Sequence, residues 1–161
     1  MTTELAPSAR RVEATLRNLG FPNEVMQLPQ SARTAVEAAA AIGCTVGQIV
    51  KSLVFEVTDG GQGVVVLASG ANRVDEARLA GHVGSAVARA NAAFVREQTG
   101  YAIGGVAPVG HTLPSKVYID QDLLQYDALW AAAGHPHAVF RLTPDELLRL
   151  TGGQVVAVAE V

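Results

Sequence analysis

Residues 48–57 read Gln48-Ile49-Val50-Lys51-Ser52-Leu53-Val54-Phe55-Glu56-Val57, and the chain continues through Asp59-Gly60-Gly61 into Gly63-Val64-Val65-Val66-Leu67-Ala68. Lys51, Leu53, Phe55 and Val57 alternate with Val50, Ser52, Val54 and Glu56, the two-residue period of a strand. Asp-Gly-Gly is a hairpin turn signal. The unbroken apolar run after it predicts a return strand covered on both faces. Such a hairpin needs packing partners, and the flanking sequence offers them.

Toward the N-terminus, Ser8 reads as the cap of a helix carrying Val12, Leu16 and Leu19 and stopped by Gly20. Glu24 to Leu28 fits a short strand. Thr34-x-x-Glu37 is a capping box for an Ala-rich helix that ends at Gly43, and Thr45-x-x-Gln48 opens a single turn. Toward the C-terminus, Asp75 and Asn91 cap two helices, with a brief strand near Val87 between them. Residues 102–114 are rich in Gly and Pro and read as a long loop. Val117 to Asp120 is a strand, and residues 122–130 suggest one or two helical turns. Ala138 to Leu142 is a strand, Thr143-Pro144-Asp145-Glu146 starts a helix, Gly152-Gly153 stops it, and residues 154–158 give a last strand. There is no internal repeat, low-complexity linker or shift in composition. The expectation is α+β: a single compact domain over residues 1–161, with a mixed, mainly antiparallel sheet or a partly closed barrel flanked by helices.

Composition narrows the function. Of 161 residues, 49% are hydrophobic and 17% charged, enough for a packed core and unlike a disordered chain. The net charge of −3 and the 5% aromatic content argue against a protein that coats duplex nucleic acid by charge or offers an array of stacking platforms. No apolar run reaches the roughly 20 residues of a membrane helix. Met1 to Pro7 lacks the basic and apolar regions of a secretory signal, so no membrane association and a cytoplasmic location are expected. Cys44 is the only cysteine, which leaves no internal disulfide and no Cys-based zinc cluster.

Among candidate site residues, Lys51 stands out. A lysine in line with Leu53, Phe55 and Val57 is costly to bury unless it is paired or lines a cavity; alternatively it snorkels from the frayed strand start. Gly104-Gly105-Val106-Ala107-Pro108-Val109-Gly110-His111 is either a plain loop or one whose backbone approaches a ligand. It matches neither the Walker nor the dinucleotide pattern. Cys44 has no protease signature around it and reads as a small buried hydrophobe. His135-Pro136-His137 lacks the third ligand and spacing of a zinc site, so no metal is expected; His111 and His135 are candidates for a pocket rim. Asp120-x-Asp122 is followed by no loop of the calcium-binding type, and capping is the simpler account of Asp122. Ser52, Ser69 and Ser115 lie in no nucleophile elbow.

Taken with Lys51 and the glycine loop, the sequence resembles the YbaK/EbsC-type family of aminoacyl-tRNA deacylases, which includes the editing domain inserted in bacterial prolyl-tRNA synthetases. The likeness rests on Gln48 to Phe55, on Gly70-Ala71-Asn72-Arg73-Val74-Asp75, on Thr99 to Gly110, on Asp120 after an apolar strand, and on Ala133-Gly134 before a strand and a Thr-Pro-x-Glu helix. It spans roughly residues 30–152. It implies a free-standing editor that hydrolyses the ester between a wrong amino acid and the terminal adenosine of a tRNA, without a cofactor and without a side-chain nucleophile. Lys51 would be the key side chain, with Gly105 beside it in catalysis. Ser52, Gly104, Pro108, Gly110, His111, Ala132, Gly134 and His135 would contact the substrate. The tRNA acceptor end is the implied partner, and prolyl-tRNA synthetase a further one. A non-catalytic module binding an aminoacyl-tRNA end or a nucleotide is the alternative. Members that clear cysteine from proline tRNA carry serine near Ala132 and an acid near Val139. This chain is apolar at both, which favours alanine or 2-aminobutyrate. His111 stands where many members have lysine or another polar residue.

Overall fold

The computed structural model describes residues 4–161; the first three residues of the leader reading lie outside them. The described residues form five α-helices and eight strands, in the order α1 (Pro7–Asn18), β1 (Val25–Gln27), α2 (Ala35–Ile42), β2 (Ile49–Val57), β3 (Gly63–Ser69), α3 (Glu76–Val83), β4 (Val87–Arg89), α4 (Ala92–Thr99), β5 (Lys116–Asp120), β6 (Leu129–Ala132), β7 (Ala138–Leu142), α5 (Pro144–Thr151) and β8 (Gln154–Val156). The sheet runs β1-β7-β6-β2-β3-β5-β8, with β4 also on β2. The β2–β3, β2–β4, β6–β7 and β1–β7 pairs are antiparallel; β2–β6, β3–β5 and β5–β8 are parallel. The sheet is therefore mixed and open, not closed into a barrel.

The central hairpin forms as its alternation predicts, with Val50 opposite Ser69 and Phe55 opposite Val64. One face packs Val50, Val54, Val65, Leu67 and Ile119 against Val12 and Leu16 of α1, Val95 of α4 and Leu147 of α5. The other face packs Phe55, Val57, Val64, Val66 and Tyr118 against Leu79 of α3. α2 covers Ile49 and Val139 with Ala38 and Ala39. Burying this apolar surface supplies the main driving force for the fold.

Four caps follow the sequence: Thr34, Asp75, Asn91 and Thr143 each accept from backbone N–H groups of their helices. Two elements differ from expectation. α1 starts at Pro7 with Ala6 as its N-cap and no side-chain cap; proline's fixed φ and absent N–H suit the first helical position, so Ser8 lies inside the helix. The helical turn expected within residues 122–130 is present as a 3₁₀ turn at Gln121–Gln125, but the chain then extends into β6, a strand the sequence does not announce. β6 is held by β2 and β7, both distant in sequence.

Candidate active site

A cavity of about 380 Å³ opens where the sheet is interrupted. β6 pairs with β2 only at Ile49 and Val50, and β4 takes over only at Phe55. Between these partners one edge of β2 is bare. The direction of its backbone groups follows from strand alternation. Ile49 accepts from Gly70 N–H, and Val57 both donates to Gln62 and accepts from Gly61, so the odd-numbered residues face β3. The even-numbered ones face the other edge, where the Val54 carbonyl accepts from Ala90 N–H at 3.1 Å. The N–H and C=O of Ser52 thus point into the gap, and neither has a main-chain partner among the described residues. The Ser52 hydroxyl is also buried without a hydrogen-bond partner.

Lys51, half-buried, lines the same cavity. Its Nζ donates to the Asn72 carbonyl at 2.5 Å, and it makes no ion pair among the described residues. Asn72 is itself fixed. Its Nδ2 donates to Asp120 Oδ2 at 2.9 Å and to Asp122 Oδ2 at 2.8 Å. Asp120 is buried and also accepts from the N–H groups of Ser69 and Asp122. Burial pushes the Lys51 ammonium below the ordinary lysine range; Arg89 pushes it further, Asp120 opposes, and Arg73 adds a little.

The walls are mostly apolar: Ile49, Val50, Leu53 and Val54 from β2, Val95, Ile103 and Val106, and Trp130, Ala131, Ala132 and Val139 from β6 and β7. Ala132 and Val139 face each other across the β6–β7 ladder. Arg33, Thr34 and Arg89 add polar groups.

The glycine loop is only partly a cavity wall. Gly104 lines it at φ +95°, a left-handed conformation that favours glycine, with the Arg33 side chain packed against it. Gly105 does not line it. Its N–H donates to the Ala102 carbonyl at 3.0 Å, and a Cβ would come within 2.9 Å of His135 N. Its role is close packing of the loop on the 134–135 backbone. Pro108 is buried behind the wall. Gly110 abuts Tyr101 and Thr15, and Gly134 abuts Ser8 and Val12 of α1. His111 turns inward, with Nε2 2.6 Å from the Ala107 carbonyl, so that nitrogen carries the proton; burial lowers its pKa, Ala107 opposes, and Arg11 adds to the lowering. His135 accepts from His137 N–H through Nδ1 at 3.0 Å. Lys51, Ser52, Gly104 and Ala132 are thus brought together on the cavity; Gly105, Pro108, Gly110, His111, Gly134 and His135 do not line it. The sequence reading missed Arg33, Arg89, Ile103 and Trp130. Only Trp130 carried a local signal, as the sole tryptophan in an apolar run. No group of three or more His, Cys, Asp or Glu placed to hold a metal occurs among the described residues. No described helix is long and apolar enough to cross a membrane.

The profile of the aminoacyl-tRNA editing domain matches residues 29–150, which contain the whole cavity wall. The chain belongs to the aminoacyl-tRNA editing domain family. This editing domain is 52% identical to a solved structure described provisionally as a trans-editing enzyme for prolyl tRNA synthetase, covering 98% of this chain and 100% of that one at a TM-score of 0.93. It is 32% identical over 133 residues to YwhH of Bacillus subtilis (strain 168), an uncharacterised protein, covering 83% and 84% of the two chains. It is 30% identical over 122 residues to EbsC of Enterococcus faecalis (strain ATCC 700802 / V583), covering 75% and 74%; EbsC is described provisionally as a Cys-tRNA(Pro)/Cys-tRNA(Cys) deacylase.

Proposed function

We propose that this editing domain is a trans-acting aminoacyl-tRNA deacylase that hydrolyses the ester joining a wrong, small amino acid to the terminal adenosine of proline tRNA. The observation that carries the reading is Lys51: a half-buried cation without an acidic partner, anchored by Asn72 on the wall of an apolar cavity. Such a charge is retained at a cost in burial, and a negative substrate group or a developing oxyanion repays it. Arg33 and Arg89, which line the same cavity, suit the phosphates of a tRNA 3′ end.

Hydrolysis begins when an oxygen nucleophile attacks the ester carbonyl carbon. That nucleophile is a water, which the vicinal ribose hydroxyl can activate; attack by that hydroxyl itself would only move the acyl group from one ribose oxygen to the other. The carbonyl π electrons move onto oxygen, the tetrahedral centre collapses, and the ribose oxygen leaves with a proton. Lys51 serves this sequence by holding positive charge near the reacting centre. Gly105 serves it by keeping Gly104 and Val106 against the cavity.

The need for such an enzyme is energetic, since one methylene gives a synthetase only about 1–3 kcal/mol of discrimination. Ala132 and Val139 leave the cavity wall without a polar group at their paired positions, which favours alanine or 2-aminobutyrate over cysteine. Prolyl-tRNA synthetase is the candidate partner for recognising the tRNA body, given the chain's net charge of −3.

The test is deacylation of proline tRNA charged with alanine, 2-aminobutyrate, cysteine or serine. Faster release of alanine or 2-aminobutyrate is expected. A wide preference for cysteine overturns the pocket assignment, and binding of every substrate with no hydrolysis overturns the enzyme.

A further inference from the structure

Ser52 places a main-chain donor and acceptor side by side on the wall of an apolar cavity, with no protein partner for either among the described residues. More than nine in ten buried backbone groups are paired in native structures. An unpaired N–H and C=O on one residue is the face that a strand normally offers to a neighbouring strand. Here the neighbours stop on either side: β6 at Ala132 and β4 at Arg89. The opening between them is short, so it admits about one residue and not a peptide.

An aminoacyl group has the complementary face. Its α-amino nitrogen donates and its carbonyl oxygen accepts, separated by one Cα as in any peptide residue. Two residues so opposed form the hydrogen-bonded pair of an antiparallel ladder, with Cα atoms about 5.5 Å apart.

Building on the deacylase reading above, we propose that the Ser52 main chain binds the aminoacyl group as if it were one residue of a missing strand: the Ser52 carbonyl accepts from the α-amino group, and the Ser52 N–H donates to the ester carbonyl oxygen. When the carbonyl carbon is attacked and its π electrons move onto oxygen, that oxygen keeps the Ser52 N–H as a preformed donor. Gly105 cannot fill this role, since its own N–H is held by Ala102. The arrangement reads what every amino acid shares and leaves selection among side chains to the apolar walls.

The test uses ¹⁵N-labelled full-length protein and three probes: 3′-deoxyadenosine carrying alanine through a 3′ amide, the same molecule with a propionyl group in place of alanine, and adenosine. The alanyl probe is expected to shift the Ser52 amide resonance strongly and adenosine to leave it unmoved. The propionyl probe, which leaves the Ser52 carbonyl unpaired, is expected to bind about 10-fold or more weakly. Equal affinity of the two acyl probes overturns the pairing. So does a bound alanyl probe that moves the amides of residues 103–106 and not that of Ser52, and this result leaves the deacylase reading standing. Failure of the alanyl probe to bind, together with no hydrolysis of any mischarged tRNA, overturns both.

Discussion

Replacing Lys51 with methionine separates its catalytic from its structural value. Methionine keeps most of the apolar stem that runs beside Leu53 and removes the ammonium. Two opposing effects on stability follow. The hydrogen bond to Asn72 is lost, and bonds to charged groups are worth about 1.5–3 kcal/mol. The cost of holding a half-buried cation near Arg89 is relieved, which is of similar size for a group only partly withdrawn from water. The net change should stay within about 1 kcal/mol, a shift in Tm of about 2–4 °C for a chain of this size. Catalysis has no such compensation. Removing one electrostatic partner of a developing oxyanion costs about 10²–10³ in rate. Lys51→Met should therefore lower kcat/KM on alanyl-proline tRNA at least about 100-fold while circular dichroism and Tm barely move. A folded variant with unchanged kcat/KM refutes the role given to Lys51. A fall in Tm beyond about 10 °C refutes the stability reasoning, because it requires several kcal/mol.

Lys51 and Lys116 are the only two lysines, so a ¹³C-lysine NMR titration reads Lys51 separately; Lys51 should lose its proton below the ordinary lysine range, and Arg89→Gln, which removes a like charge, should move its transition upward. His111 should work in the opposite pH range. Its folded pKa lies below the ordinary value, so on acidification the unfolded chain takes up the proton first, and stability falls as pH drops below about 6.5; the Tm advantage of wild type over His111→Gln should shrink between pH 7 and pH 5.5. Gly105→Ala puts a methyl against the His135 backbone and should cost about 1–3 kcal/mol in urea unfolding, with a loss of activity that follows the displaced loop. Ala132→Ser adds a hydroxyl to the apolar wall opposite Val139 and should move preference from alanine toward cysteine by about 10-fold in competing deacylation reactions.

Much of the fold is local chemistry and was legible. The β2–β3 hairpin follows from its alternation and its Asp-Gly-Gly turn. Thr34, Asp75, Asn91 and Thr143 each announce a helix because a capping side chain meets N–H groups only two or three residues away. β6 was not legible, because Leu129 to Ala132 becomes a strand only through β2 and β7, far along the chain. The site divides in the same way. A lysine aligned with Leu53 and Phe55 flags itself by the cost of burying it. Nothing local to Lys51 reveals that the Asn72 carbonyl receives it, or that Asp120 and Asp122 hold Asn72. The bare edge at Ser52 depends on where β6 stops and β4 begins, which no local pattern encodes. His111 and His135 were expected at the rim by residue type, yet His111 turns to the Ala107 carbonyl and His135 to the neighbouring His137 N–H, and neither lines the cavity.

The most direct test of the account is a single-turnover time course of alanyl-proline tRNA with excess protein, run beside the spontaneous reaction. The account predicts release of alanine far above the spontaneous rate, at least about 100-fold slower in Lys51→Met and slower for the cysteinyl substrate. Release no faster than the spontaneous reaction, with the protein folded and the tRNA bound, would contradict it.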